Sequence, residues 1–286
     1  MTELNDGWFT EVFQDEGTAF SLKVKRKCHE EQTPYQTIAI YETETFGYLM
    51  TIDGCVMLTS RDNFLYHEMM SHPALFTHKN PKKVVIIGGG DCGTLREVLK
   101  HPDIEEAWQV EIDQRVTELS EEYFPELCDA NSDPRANFFF GDGIQWMKDL
   151  EPESVDIIIV DSTDPVGPAE GLFASDFYRD CLMALREGGI VVQQSESPLL
   201  HADTIIRKAH EDMRKAGFDH VLTLPFPQPV YPTGWWSCTM AGKDKPLQYF
   251  READVDERGF VTRYYNKATH RGALAQPQFM VDLLEG

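Results

Sequence analysis

The stretch Val155 to Pro168, VDIIIVDSTDPVGP, constrains this chain more than any other. Five of the six residues from Val155 to Val160 are apolar, which predicts a short strand buried on both faces. Such strands belong to parallel sheets covered by helices on each side. The run stops at two carboxylates, Asp161 and Asp164, followed by Pro165, Gly167 and Pro168, which end regular structure. Acids at the carboxyl edge of a parallel sheet stand where open α/β sheets bind their ligands.

The pattern upstream agrees. After Pro81, strands and helices alternate: Val84–Ile87, helix 93–100, Ala107–Ile112, a helix N-capped by Asp113, Asn137–Phe140 and Val155–Val160. A helix over Leu172–Arg186 closed by Gly188-Gly189, a strand Ile190–Gln193 and a helix Asp203–Ala216 ending at Gly217 follow. Strands near Val221 and Thr239 complete the sheet, and 242–259 is expected as loop and helix on the rim. The expected class is α/β, a Rossmann-like doubly wound sheet. Residues 1–72 read instead as a small antiparallel β domain. Phe20, Leu22 and Val24 alternate with polar residues, Thr37–Tyr41 and Tyr48–Ile52 are strands, and Asp53-Gly54 is a hairpin turn into Cys55–Leu58. A helix from Arg61 to Ser71 leads to a boundary at His72-Pro73, leaving 73–286 as the second domain.

Charge narrows the function. The 26 basic and 48 acidic residues among 286 give a net charge of −22. Such a field repels nucleic acid and anionic membranes and concentrates cations. Six scattered cysteines without a C-x-x-C pair point to reduced thiols and the cytoplasm, and nine histidines form no H-E-x-x-H metal motif. The opening MTELNDGWFTEVF has neither a basic region nor an apolar core, so no signal peptide is expected. No apolar run approaches the roughly 18 residues that span a bilayer.

The first strand of the second domain runs straight into Gly88-Gly89-Gly90-Asp91-Cys92-Gly93. Glycines at 88, 90 and 93 fit G-x-G-x-x-G, with a strand before and a helix after, which is the context of a nucleotide loop. Glu111 closes the next strand, where an acid accepts ribose hydroxyls. A dinucleotide would set its pyrophosphate on this loop. Asp91 stands there instead. One carboxylate against one phosphate charge at about 4 Å and an effective dielectric near 20 costs on the order of 4 kcal/mol. The ligand group at this point is therefore positive, and an adenosyl sulfonium fits. Asp142-Gly143 is a second candidate, for the adenine amino group.

Taken with Asp91, Glu111, Asp142 and DSTDPVGP, the segments IDGCVMLTSRDNFLYHEM, VVIIGGGDCGTLRE, QSESP, YPTGWWS, RYYN and AQPQF resemble the spermidine synthases, the polyamine aminopropyltransferases. The resemblance covers nearly the whole chain. It implies transfer of an aminopropyl group from decarboxylated S-adenosylmethionine, a co-substrate, to an amine, with no metal or other cofactor. It implies a β-rich N-terminal domain on a methyltransferase-like Rossmann domain, and a homodimer or homotetramer. By position, Gln36, Glu111, Asp142, Gly143 and Pro168 would hold the adenosine beside the Gly88 and Gly90 loop. Asp91 and Asp161 would hold the aminopropyl ammonium. Tyr66, His67, Asp164 and Tyr231 would line the amine channel, with Trp8 and Glu196 at its far end, and Pro225 to Trp236 would form a lid. Asp161 is the expected proton acceptor and putrescine the expected amine; cadaverine, agmatine and spermidine are the alternatives. Met57, Asn63 and Cys92 depart from the family's frequent residues, the first two near the domain junction where they bear on amine preference. Three rivals stand beside this reading: a methyltransferase, whose substrate carboxylate Asp91 and Asp161 would repel; an NAD-linked oxidoreductase, disfavoured by Asp91; and a non-catalytic polyamine binder, which has no need of the glycine loop.

Overall fold

The computed structural model describes residues 7–163 and 167–284. Strands β1 (Trp8–Phe13), β2 (Thr18–Gln32), β3 (Thr37–Thr43), β4 (Tyr48–Ile52) and β5 (Cys55–Thr59) form an antiparallel meander in sequence order. The β4–β5 turn holds Asp53 at φ 50° and Gly54 at φ 85°, the left-handed pair that matches strand twist in a two-residue hairpin. β1 carries no clear hydrophobic alternation and was not expected, and β2 runs well past Val24.

Helix α1 (Asn63–Thr77) follows, with thirteen of its fifteen residues buried. It continues through His72-Pro73, so the boundary expected there falls inside a helix. Pro73 removes the N–H that would bond to the Met69 carbonyl. The Cys238 thiol donates to that oxygen at 3.7 Å instead, so the freed carbonyl keeps a weak partner.

The second sheet takes its strands from β6 (Lys83–Gly88), β7 (Glu106–Glu111), β8 (Ala136–Phe140), β9 (Val155–Asp161), β10 (Leu185–Gln194), β11 (His220–Pro227) and β12 (Trp235–Gly242). Their order is β11-β12-β10-β9-β6-β7-β8. Strands β10 to β8 are parallel, and β12 pairs antiparallel with both β10 and β11. Helices α2 (Gly93–Leu99), α3 (Gln114–Tyr123), α4 (Gly143–Lys148), α5 (Ser175–Ala184), α6 (Pro198–His201) and α7 (Arg207–Ala216) connect them, and α8 (Glu252–Glu257), α9 (Lys267–Leu274) and α10 (Gln278–Leu284) close the chain. The strands read from sequence are present. Helix α5 is shorter than expected, because a 3-10 turn over Gly167–Phe173 precedes it and the chain is extended from Leu185. Gly188-Gly189 does not end a helix but sits at a register break inside β10, with Gly188 at φ 75°.

Alternate residues of β9 feed two cores. Ile157 and Ile159 face the cluster built with α1 and α2, while Ile158 and Val160 face the one built with α5 and α7. Burial on both faces is why the strand reads as an unbroken apolar run. The strand order reverses between β6 and β9, where Gly88 and Asp161 are register partners. This switch point is where the topology opens a crevice. Among the described residues, no helix is long and apolar enough to cross a membrane.

Candidate active site

A cavity of about 400 Å³ fills that crevice. The carboxyl ends of β6, β7 and β9 form its floor, and Gln36 of the β2–β3 turn with Met50, Ile52 and Met57 of the N-terminal sheet form its roof. Five carboxylates line it, those of Asp53, Asp91, Glu111, Asp142 and Asp161, and none of its described lining residues is Lys, Arg or His.

The glycine loop exists to let two of those acids approach. A Cβ on Gly88, at φ 80°, would lie 2.3 Å from the Asp161 carbonyl oxygen. A Cβ on Gly90 would lie 2.9 Å from Glu111 Oε2. Asp161 is buried at the end of β9. Its Oδ1 accepts from the Tyr66 hydroxyl and its Oδ2 from Thr94 Oγ1, each at 2.6 Å. Burial first, and then the Asp91 charge, raise its pKa above the ordinary carboxylate value. Asp91 Oδ1 accepts from the Gly93 N–H at 2.6 Å, and Oδ2 lies 3.1 Å from His67 Nε2. Burial pushes Asp91 up, but His67, with the Gly93 N–H and the Arg96 charge, more than offsets it and holds the carboxyl below its usual range. His67 answers in kind: burial pushes it down, Asp91 pulls it up, and the net shift is upward.

Glu111 ends β7, with Oε1 accepting from the Asp113 N–H at 2.8 Å. Burial pushes its pKa up to about 7. Asp113 caps α3 through Arg115 N and also accepts from Thr33 Oγ1 at 2.7 Å and Gln36 Nε2 at 3.0 Å. Gln36 is thereby tied to the strand edge that carries Glu111. Asp142 lies on the exposed rim and caps α4, Oδ1 accepting from Ile144 N at 2.8 Å and Gln145 N at 3.2 Å. Gly143 follows it at the cavity wall, where a Cβ would meet Ile87 at 2.7 Å.

A second chamber of about 50 Å³ adjoins the first, and Tyr66 and Tyr231 line both. Tyr231 belongs to the turn between β11 and β12. Its hydroxyl donates to the Met57 carbonyl, and its ring packs edge-on against Tyr66 at 5.9 Å and Trp236 at 4.6 Å. Glu11 and Gln194 add polar groups to this chamber.

Gln36, Tyr66, Gly88, Gly90, Asp91, Glu111, Asp142, Gly143, Asp161 and Tyr231 thus meet around one cavity, with His67 behind Asp91. Trp8 lies on β1, 38% exposed, and Glu196 is buried, its Oε1 accepting from Gln194 Nε2 at 3.2 Å; neither lines either chamber. Pro168 lies in the 3-10 turn, and Asp164 lies outside the described residues. Sequence reasoning missed Thr94, Glu11 and Gln194, and took Asp113 for a helix cap alone. Glu11 had no strand to mark it, and Thr94 reaches its partner across 67 residues.

Residues 63–251 match the family described as the spermine/spermidine synthase domain, and residues 7–60 match the spermidine synthase tetramerisation domain. A polyamine aminopropyltransferase of Thioalkalivibrio sulfidiphilus is 62% identical over 283 residues, covering 99% of each chain. One from Methylococcus capsulatus is 61% identical, covering 97% of this chain and 96% of its own. Among solved structures, a spermidine synthase in complex with the transition state analogue AdoDATO superposes with a TM-score of 0.93 at 34% identity, over 99% of this chain and 97% of that one. Spermidine synthase from Thermotoga maritima gives 0.91 at 34% identity, over 97% and 94%. With both segments matched and close relatives aligned end to end, this chain belongs to the spermine/spermidine synthase family and is a transferase of the polyamine aminopropyltransferase type.

Proposed function

We propose that the chain transfers the aminopropyl group of decarboxylated S-adenosylmethionine to putrescine, giving spermidine and methylthioadenosine. The observation that carries this reading is the charge of the cavity, five carboxylates and no cationic side chain. A nucleoside bearing both a sulfonium and an ammonium supplies the missing positive charge. Glu111 and Gln36 receive the ribose end, Asp142 and Gly143 the base, and Asp91 with Asp161 the aminopropyl ammonium. A ligand carboxylate at the Asp91 position would meet a like charge at close range, on the order of 4 kcal/mol at 4 Å with an effective dielectric near 20. Ordinary S-adenosylmethionine is disfavoured for that reason.

The amine enters through the second chamber. Its nitrogen lone pair attacks the methylene carbon next to sulfur, the C–S bond breaks, and the electron pair leaves on sulfur as a neutral thioether. The sulfonium is already an activated leaving group, so the step calls for no metal or redox cofactor. Freeing an alkylamine lone pair at pH 7.4 costs roughly 4 kcal/mol. The nearby sulfonium and the walls of Tyr66, Tyr231 and Trp236 lower that cost by like charge and desolvation. Asp161 takes the proton as the C–N bond forms, and in-line positioning supplies much of the remaining rate. Putrescine as the acceptor rests on the likeness to spermidine synthases. We place the reaction in the cytoplasm, where the six free cysteines stay reduced, and in a homo-oligomer assembled through the N-terminal sheet.

A panel of amines with decarboxylated S-adenosylmethionine, read by product mass, tests the proposal. Spermidine from putrescine as the dominant product is expected. Preference for cadaverine, agmatine or spermidine would overturn the acceptor, and methyl transfer from ordinary S-adenosylmethionine would overturn the donor.

A further inference from the structure

Thr94 is fully buried in the first turn of α2 and lines neither chamber, so it touches no substrate. Its hydroxyl nevertheless reaches the most consequential oxygen pair in the molecule. Asp161 Oδ2 accepts from Thr94 Oγ1 at 2.6 Å while Oδ1 accepts from Tyr66 at 2.6 Å. O–H to carboxylate bonds of this length are the short, charge-assisted kind. The glycine loop also runs close to Oδ2, since a Cβ added at Gly89 would lie 2.8 Å from it. The two donors come from different helices, so the carboxylate plane is fixed at both ends. Oδ1 lies beside Tyr66, whose side chain lines both chambers.

We infer that Thr94 is a positioning residue for aminopropyl transfer, holding the inner oxygen of Asp161 so that the outer oxygen stays ionised and aimed at the amine. This rests on the function proposed above. The titratable groups facing Asp161 are Asp91 on the glycine loop and Tyr66 and His67 on α1. Burial and Asp91 drive the carboxyl toward its neutral form, which cannot take a proton, and the His67 charge, then the Thr94 and Tyr66 hydroxyls, oppose that drift.

The test is a kcat–pH profile from pH 6 to 9 for wild type, Thr94→Val and Thr94→Ser, with unfolding curves for each. Valine keeps the shape and removes the donor; serine keeps the donor and removes the methyl group. Thr94→Val is expected to lose about 10- to 100-fold in kcat at neutral pH, on the scale of an impaired general base. Its affinity for methylthioadenosine, which carries no ammonium for Asp161 to hold, stays within about threefold, roughly the limit for a site whose direct contacts are kept. The loss narrows as pH rises, because a carboxyl deprived of a donor ionises later. Thr94→Ser restores both rate and profile. A space-filling role predicts the reverse, with serine at least as damaging as valine and no change in profile. Superimposable profiles for wild type and Thr94→Val overturn the inference while leaving the proposed function intact; a wild type that forms no aminopropyl product overturns both. If the valine variant does not fold, Thr94→Ala against Thr94→Ser makes the same comparison.

Discussion

Helix α1 carries two histidines five residues apart, and each meets a carboxylate of the segment after β6 at 3.1 Å: His67 with Asp91, His72 with Glu97. The chemistry is the same and the outcomes differ. Glu97 is fully buried and receives Lys100 Nζ at 2.7 Å and Arg96 Nη2 at 2.8 Å besides His72. The other nitrogen of His72 bonds to His101 at 3.0 Å, and burial pushes His101 down to about 2. Burial pushes Glu97 up, but His72 and Lys100 outweigh it, and its carboxyl lies well below the usual range. The pair is closed. Asp91 has one histidine and one backbone N–H, with Asp161 as a like-charged neighbour, and His67 Nδ1 is buried without a partner. Where fixed cations match the acid, the cluster is framework. Where they do not, the proposed function assigns the remaining charge to a cationic ligand.

The widest gap between the two clusters should appear in turnover. Asp161→Asn should lose at least about 100-fold in kcat, the usual scale for removing a general base. Methylthioadenosine, measured by calorimetry, should still bind. Near-normal turnover would take the proton from Asp161 and give it to another group. Next comes Asp91→Asn. Losing a bond to a charged group costs about 1.5–3 kcal/mol, so KM for the decarboxylated substrate should rise roughly 10- to 100-fold. Methylthioadenosine has no ammonium and should move little. If both ligands weakened alike, Asp91 would be shaping the loop and not reading charge.

Glu111 gives a smaller effect with a definite sign. Its pKa in the empty protein is about 7, raised by burial from an ordinary 4.5. Ribose hydroxyls need the ionised form as acceptor. Affinity for methylthioadenosine should therefore fall as pH drops below 7, by at most about tenfold per unit. The stability of the ligand-free protein should show the opposite trend. This group's contribution to stability is complete below pH 4.5 and is lost as pH rises through 7. Binding isotherms from pH 5.5 to 8.5 check the first trend, and Glu111→Gln should flatten it.

What the sequence made legible follows the same division. The glycine loop, Asp91, Glu111 and Asp161 were readable because each sits at a strand end with a local signature. β1 and the far half of β2 were not. There Lys25 and Arg26 pair with Glu42 across the strands, so polar contacts replace the apolar alternation that marks a strand. The continuation of α1 through Pro73 was hidden too, since the helix is held by packing from distant elements, and the carbonyl that Pro73 frees meets Cys238, 165 residues further on. Thr94, Gln194 and the second role of Asp113 were hidden for a related reason. A hydrogen bond such as Gln36 to Asp113, spanning 77 residues, leaves no trace in spacing or composition.

The smallest expected change in activity tests the closed cluster itself. Glu97→Gln keeps the shape and removes the charge that Lys100, Arg96 and His72 share. A buried group left with poorer partners costs about 1–3 kcal/mol. The lysine and arginine side chains, 27% and 16% exposed, can recover part of it by turning to water. Denaturant unfolding should register the loss, while kcat and KM below the melting transition stay within about twofold of wild type, since the substitution removes no contact made to the ligand. A selective fall in kcat with stability unchanged would join the two clusters into one electrostatic unit, and the contrast between framework and site would then fail at the residue where it is sharpest.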